Sequence, residues 1–391
     1  MKRILIVIAV IFGAQISLFA QWQSTGLIDT FAIKTLVVYR DSLYAGTDGA
    51  GIFSTSDGGN TWVAKNSGLT NQRINSIAFD TAGTLYAGSK SLLLFTSADS
   101  GNTWAAHNAG GTGNSISSIT VFGNNIFAGE AGDGVFLSTN SGNSWAEKGL
   151  CCASVLSLCA DTNGYIYAGT NAQTVYRSVS PFSVWTKMNT GISTNPVRAL
   201  ISSGALLIAG TYGGGIYISN NHGNSWSAAN DGLGDLNVIS LVDNGQKMFA
   251  GTESGGIFIS VDQGLSWMPV NDGLTDLNVT ALAICGNYLY AGLSNGEVWK
   301  RPLAEFTDIS ELPSKGIFEI FPNPVADKLY IKIFDYTDTT VEIYSLTGQR
   351  KYVLEQKSPL SAIEIDDFAH GIYLIKVHNL KGIQTLKFIK N

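Results

Sequence analysis

From Val238 to Met268 the chain reads VISLVDNGQKMFAGTESGGIFISVDQGLSWM. Four short runs of β-type residues stand in it: Val238-Ile239-Ser240-Leu241, Met248-Phe249-Ala250-Gly251, Gly256-Ile257-Phe258-Ile259 and Ser266-Trp267-Met268. Gly, Asn and Asp separate them, which is the pattern of strands joined by tight turns. The stretch is one copy of several. Trp22, Trp62, Trp104, Trp145, Trp185, Trp226 and Trp267 follow one another at intervals of 40, 42, 41, 40, 41 and 41 residues. A second marker keeps step with them, an Ala-Gly pair at 45–46, 87–88, 128–129, 168–169, 209–210, 250–251 and 291–292, each preceded by Tyr, Phe or Ile.

Seven repeats of about 41 residues therefore fill residues 21–305. Four strands per repeat is the content of a propeller blade. The expected fold is all-β, a seven-bladed β-propeller followed by a smaller domain. The array starts with a single strand around Trp22 and stops after three, at Glu297-Val298-Trp299-Lys300. The N-terminal strand is expected to complete the seventh blade and close the ring, which removes the sheet edges an open array would expose.

The residues before each tryptophan resemble the Asp-box, or BNR, repeat, whose pattern is Ser-x-Asp-x-Gly-x-Thr-Trp. Ser97, Asp99, Gly101, Thr103 and Trp104 match it in full, and the copies around Asp57 and Trp62 and around Asp262 and Trp267 differ only by Ser/Thr exchange. Asn140 before Trp145 and Asn221 before Trp226 replace the acid, and Phe182 replaces the Gly before Trp185. The resemblance implies structural hairpin turns. Residue chemistry agrees: an Asp or Asn oxygen accepts backbone N–H groups within a turn, and Gly supplies a positive φ. A catalytic base or metal ligand needs the negative charge, so Asn140 and Asn221 favour the turn.

Composition bounds the partners. Charged residues are 14% of the chain, against about 25% in ordinary domains, and the formal net charge is −6. No clustered Lys and Arg mark a nucleic-acid or anionic-membrane partner. Lys2 and Arg3 precede an apolar run from Ile4 to Phe12 and then Ser17-Leu18-Phe19-Ala20, which reads as a secretory signal over 1–20 cut before Gln21. No later segment has the length of a membrane span, so the mature chain is expected to be soluble. Cys151, Cys152, Cys159 and Cys285 suggest no disulfide framework. His107, His222, His370 and His378 have no metal-ligand spacing, so neither metal nor cofactor is expected.

Charged residues rise from 11% of residues 21–305 to 24% of 306–391, which marks a domain boundary with a polar linker at 306–316. Alternating runs in residues 317–391 predict a small β-sandwich. This tail is similar to the C-terminal sorting domain of the type IX secretion system. Matching pieces are Pro322-Asn323-Pro324, the turn containing Gly348, Gly371 and Tyr373 in His370-Gly371-Ile372-Tyr373, and the basic end with Lys387 and Lys390. The resemblance implies type IX machinery as a partner, removal of the tail, and a mature protein released or attached at the outer cell surface.

Threading the repeat puts Asp29, Arg73, Asn114, Asn195, Asp235 and Asp276 in loops leading into the first strands. Asp48, Glu130, Asp133, Asn171, Tyr212, Glu253 and Asn295 fall between second and third strands. This is the face where propellers usually hold ligands, and here it is expected to carry several carboxylates and few cations. Asp48, Arg73, Glu130, Asp133, Tyr212, Asp235, Glu253 and Asp276 are its candidate ligand-binding residues. A paired Asp/Glu there could run a glycoside hydrolase. Sialidases, which carry Asp-boxes, hold a substrate carboxylate with three Arg, one in an Arg-Ile-Pro motif. No such motif occurs here, and the repeats hold only Arg40, Arg73, Arg177, Arg198 and Arg301. Xyloglucanases set the sugar between two such propellers, and this chain has one. The short, equal loops favour a non-catalytic binding or scaffold module for a glycan or protein, as in the photosystem assembly-factor propellers it also resembles.

Overall fold

The computed structural model describes residues 21–27, 30–91, 93–111, 115–171, 174–306, 318–322, 325–334, 339–345, 349–356, 358–379 and 382–390. The expected signal at 1–20, linker positions 307–316, Asp29, Asn114, Asn323, Pro324 and Gly348 lie outside them. The chain divides into two compact units, Met1–Thr307 and Asp308–Asn391.

In the first unit each repeat forms one antiparallel four-stranded sheet, giving seven among the described residues. Sheet 1 holds Ile33–Tyr39, Ser42–Thr47, Ile52–Thr55 and Val63–Ala64. The first strands of sheets 2 to 7 are Ile74–Phe79, Ile116–Phe122, Val155–Ala160, Val197–Ser203, Val238–Asp243 and Val279–Cys285. Sheet 7 takes its second and third strands from Tyr288–Leu293 and Glu297–Pro302. Its fourth is Gln23–Leu27, antiparallel to Glu297–Pro302, with Gln23 opposite Lys300 and Ser24 opposite Trp299. No sheet closes on itself; the sheets are separate units stacked face to face.

The Ala-Gly marker has a packing cause. A Cβ at Gly88 would lie 2.5 Å from Ile116 Cγ2 of the next sheet, one at Gly169 2.7 Å from Val197 Cγ1, and one at Gly251 2.7 Å from Val279 Cγ1. The seventh copy, Gly292, meets Ile33 of sheet 1 in the same way, at 2.4 Å. The β-branched residue that fills each gap is fully buried in every repeat: Ile33, Ile74, Ile116, Val155, Val197, Val238 and Val279. Only glycine lets the sheets come this close.

The tryptophans stand just before the outer strands and clip one sheet to the preceding one. Trp226 donates its backbone N–H to Thr190 O and its indole N–H to Met188 O, at 2.9 and 3.1 Å. Trp267 does the same with Asp231 O and Ala229 O, at 2.8 and 2.9 Å, and Trp22 with Asp272 O and Val270 O, at 3.0 and 2.6 Å. Burial is less uniform than the repeat suggests. Trp22, Trp104, Trp226 and Trp267 are buried, whereas Trp62, Trp145 and Trp185 are half-buried. Trp145 bonds instead to Gly142 O of its own turn. Phe306, placed by sequence at the start of the linker, belongs to this core: its ring lies 5.2 Å from Phe249 and 6.5 Å from Trp22.

The second unit has two sheets. One orders Phe318–Phe321, Lys328–Ile333 and Leu360–Glu364; the other orders Arg350–Gln356, Thr339–Ser345, Gly371–Asn379 and Gly382–Lys390. Leu329, Ile331 and Ile363 of the first share one core with Val341, Ile343, Ile375 and Phe388 of the second. No helix among the described residues is long and apolar enough to cross a membrane.

Candidate functional site

Within every sheet of the first unit the ladder between first and second strands slips at one place, between 33 and 35, 74 and 76, 116 and 118, 155 and 157, 197 and 199, 238 and 240, and 279 and 281. The skipped residue is Lys34, Asn75, Ser117, Leu156, Arg198, Ile239 or Thr280. A bulge leaves one residue unpaired and re-aims its side chain. All seven line one central cavity of about 640 Å³. Lys90, Glu253 and Ser294 join the wall from loops between second and third strands.

The cavity wall is a smaller surface than the loop face on which the sequence placed several carboxylates. Of the eight candidates named from sequence, only Glu253 lines the cavity, and its cations are Lys34, Lys90 and Arg198. Five of the others, Asp48, Arg73, Tyr212, Asp235 and Asp276, are tied into loop architecture. Asp48 Oδ1 accepts from Arg73 Nε at 2.8 Å, joining sheets 1 and 2. Burial pushes Asp48 upward, but Arg73, Lys34 and Lys90 together hold it below the usual carboxylate range. Asp235 accepts from the backbone of Asn237, Ser254 and Gly255 and from Ser254 Oγ, which outweighs burial and lowers its pKa. Asp276 accepts from Asn278 N and Ser294 Oγ. Glu253 Oε2 accepts from Tyr212 Oη at 2.6 Å and Asn237 Nδ2 at 3.2 Å, and the first bond raises the Tyr212 pKa. Arg198 lies over the Tyr212 ring, 5.0 Å from its centroid.

Glu130 departs from its repeat. At the residue after Ala-Gly, Thr47, Ser89, Thr170, Thr211 and Thr252 each donate a hydroxyl to the carbonyl four residues on. In sheet 3 that fully buried place holds Glu130, and neither of its oxygens has a hydrogen-bond partner. Burial, with Asp133 adding to it, pushes its pKa up to about 7. Among the described residues no cluster of three metal-ligating side chains occurs. All four cysteines are free, Cys151 and Cys152 exposed, Cys159 buried and Cys285 between.

The turns before the tryptophans hold their acids in one geometry. Asp99 Oδ1 accepts from Ser97 Oγ and Thr103 N at 2.8 and 2.9 Å, and Oδ2 from Thr103 Oγ1 at 2.6 Å. Asp57 and Asp262 repeat this with their own hydroxyl residues. Asn140 and Asn221 keep the Oδ1 bonds and reverse the last one, donating Nδ2 to Ser144 and Ser225 Oγ at 2.9 and 2.8 Å. Hydrogen bonds from Thr61 hold Asp57 at about 2, and those from Thr103 do the same for Asp99. Where Gly is lost, Phe182 adopts φ +62° and buries its ring against Phe127, 4.9 Å away.

In the second unit Pro322 follows the strand Phe318–Phe321, and Gly371 opens Gly371–Asn379. Tyr373 is buried, donates to Ala369 O at 2.9 Å and stacks 5.5 Å from Phe388. Lys387 pairs with Leu374 in the ladder, and the buried Lys390 lies 3.8 Å from Asp327.

The bulge ring went unnoticed in the sequence because a bulge belongs to the pairing of two strands. One signal was there: the residue following the β-branched opener of each first strand.

Four-stranded sheets stacked about a cavity, followed by a small two-sheet unit, define a β-propeller protein with an accessory domain. Residues 319–391 match the family described as "Secretion system C-terminal sorting domain". The chain thus carries a type IX sorting domain, which directs the protein to secretion and attachment at the outer cell surface after cleavage. No curated protein matches the chain. Among solved structures it is similar to YCF48 bound to D1 peptide, at 16% identity and TM-score 0.59, over 72% of this chain and 96% of that one. It is also similar to PorZ, a bacterial surface component of the type-IX secretion system of Porphyromonas gingivalis, at 15% identity and TM-score 0.57, over 94% of this chain and 60% of that one. The Niastella koreensis GH74 enzyme matches at 20% identity and TM-score 0.55, over 69% of this chain and 43% of that one. The fold of the first unit is that of a β-propeller.

Proposed function

We propose that this is an exported, non-catalytic binding module: a seven-bladed Asp-box propeller over residues 21–305, its ring closed by the strand after Trp22, with a cleavable signal at 1–20. The Gly292–Ile33 contact and the Trp22–Val270 bond support closure, since they reproduce between the last and first copies the contacts made between consecutive ones. The ligand, a glycan or a surface protein, is received at the central cavity.

The observation that carries the non-catalytic reading is the use made of the carboxylates. Glycoside hydrolysis needs two facing each other across the substrate. Here Asp48, Asp235 and Asp276 are engaged by neighbours, and among the described residues the cavity wall has one acid, Glu253. The runner-up, a glycoside hydrolase, draws on Glu130, whose raised pKa beside Asp133 suits a general acid. Its full burial weighs against contact with substrate. The deciding test is a glycan array and a surface-protein binding screen on the full chain, run beside a reducing-sugar assay. Binding without sugar release is the expected result. Sugar release abolished by a single Asp or Glu substitution would overturn the reading.

A further inference from the structure

We propose that the central cavity is a receptor for an acidic glycan, whose carboxylates are held by Lys34 and Lys90 on one side and Arg198 on another. The inference rests on the binding-module reading and names its ligand class.

The first observation is where the repeats agree and where they differ. The position before each bulge is Ile or Val in all seven copies, fixed by the gap it fills between sheets. The next residue is re-aimed into the cavity and is different in each copy. Packing dictates the first position; at the second, Asn75 and Thr280 bond to the next sheet, and the other five are open to a ligand.

The second observation is charge. The chain is acidic, at −6, yet among the described residues its cavity wall sets three cations against one acid, Glu253. Glu253 is occupied by Tyr212 and Asn237, and Asp48 by Arg73. The side chains of Lys34 and Lys90 have no hydrogen bond or ion pair to another described residue. Lys34, Lys90 and Arg198 are exposed, and grouped on one concave wall they focus field toward an anion.

The third observation selects a sugar over an acidic peptide. The Ser117 and Ser240 hydroxyls and Asn75 Oδ1 have no partner among the described residues, and all three residues line the cavity. Asn278 Oδ1, also in the wall, is buried without a donor. Of these only Asn278 Oδ1 is a buried atom, and a buried polar atom left unpaired asks for a partner; the other three are half-buried groups open to a ligand. Small hydroxyl and amide groups spaced around cations match a ligand that carries a hydroxyl on most carbons and a carboxylate on some. A volume of about 640 Å³ is that of a site for a short oligosaccharide.

Calorimetric titration of the full chain with an oligogalacturonate, a neutral oligosaccharide of equal length and an oligoglutamate peptide tests this. The uronate is expected to bind, more weakly by about tenfold or more in Arg198→Gln and in Lys34→Ala, as for loss of a charge-assisted bond. Raising ionic strength from about 0.05 to about 0.5 M should weaken it further. Lys187→Ala, which removes an exposed charge from the outer strand of sheet 4, should change nothing. Equal binding of the neutral sugar, preference for the peptide, indifference to both cavity substitutions, or no uronate binding each overturns the inference. Binding of a neutral glycan alone would leave the binding-module reading standing, whereas release of reducing sugar would remove that reading itself.

Discussion

Trp22 donates its indole N–H to the carbonyl of Val270, 248 positions along the chain, and so makes for sheet 7 the clip that Trp226 makes through Met188 for sheet 5. If the two clips are equivalent, Trp22→Ala and Trp226→Ala should each cost about 3–5 kcal/mol, the scale of a buried aromatic deletion. Trp145→Ala should cost clearly less, because that ring is half-buried and bonds only within its own turn. Urea unfolding midpoints compare the three. A Trp22→Ala protein as stable as wild type would show that the N-terminal strand is dispensable.

Asp99→Asn should leave the unfolding midpoint near wild type at neutral pH, since Asn140 and Asn221 hold the same turn by reversing one bond. Asp99→Ala should lower it, because Thr103 N and Oγ1 and Ser97 Oγ lose their acceptor.

Acid should weaken these turns. Asp57 and Asp99 have folded-state values near 2, below those of the unfolded chain, so their contribution is whole above about pH 4. It is lost as pH falls from there through about 2. An Asp57→Asn, Asp99→Asn double variant should show a shallower loss of stability across that window, read by circular dichroism during acid titration.

Glu130 has the opposite sign. Its folded-state pKa is raised from 4.5 to about 7, so its contribution is whole below about pH 4.5 and is lost as pH rises through about 7. The pH-dependent part is on the order of 3 kcal/mol. Glu130→Gln, which cannot ionise, should flatten the pH dependence of the urea midpoint between pH 5 and 8. An unchanged slope would mean that the carboxylate is solvated.

Deletion of residues 319–391 should leave the propeller inside the cell envelope. Surface protease accessibility and fractionation measure this directly, and surface display of the shortened protein would contradict the assignment.

The repeat was legible because its markers are backbone requirements. Gly88 and its equivalents are glycine since the next sheet leaves no room for a Cβ, and the acid or amide of each turn is there to accept N–H groups. The site was less legible. Asp48 and Arg73 belong to neighbouring repeats, and nothing in a linear reading says that they neutralise each other. Lys34 and Arg198 look like ordinary strand residues until the ladder slips beside them. Glu130 was named as a ligand residue, but only the comparison with Thr211 at the equivalent place shows it as a buried substitute for a hydroxyl.

Since each bulge residue stands outside the strand ladder in its own copy of the repeat, five codons, all but those of Asn75 and Thr280 whose side chains bond to the next sheet, can drift separately while the scaffold keeps its stability. A library randomised at those codons alone would sample new specificities on one unchanged frame, and a paralogue could acquire a different ligand through as few as one or two substitutions.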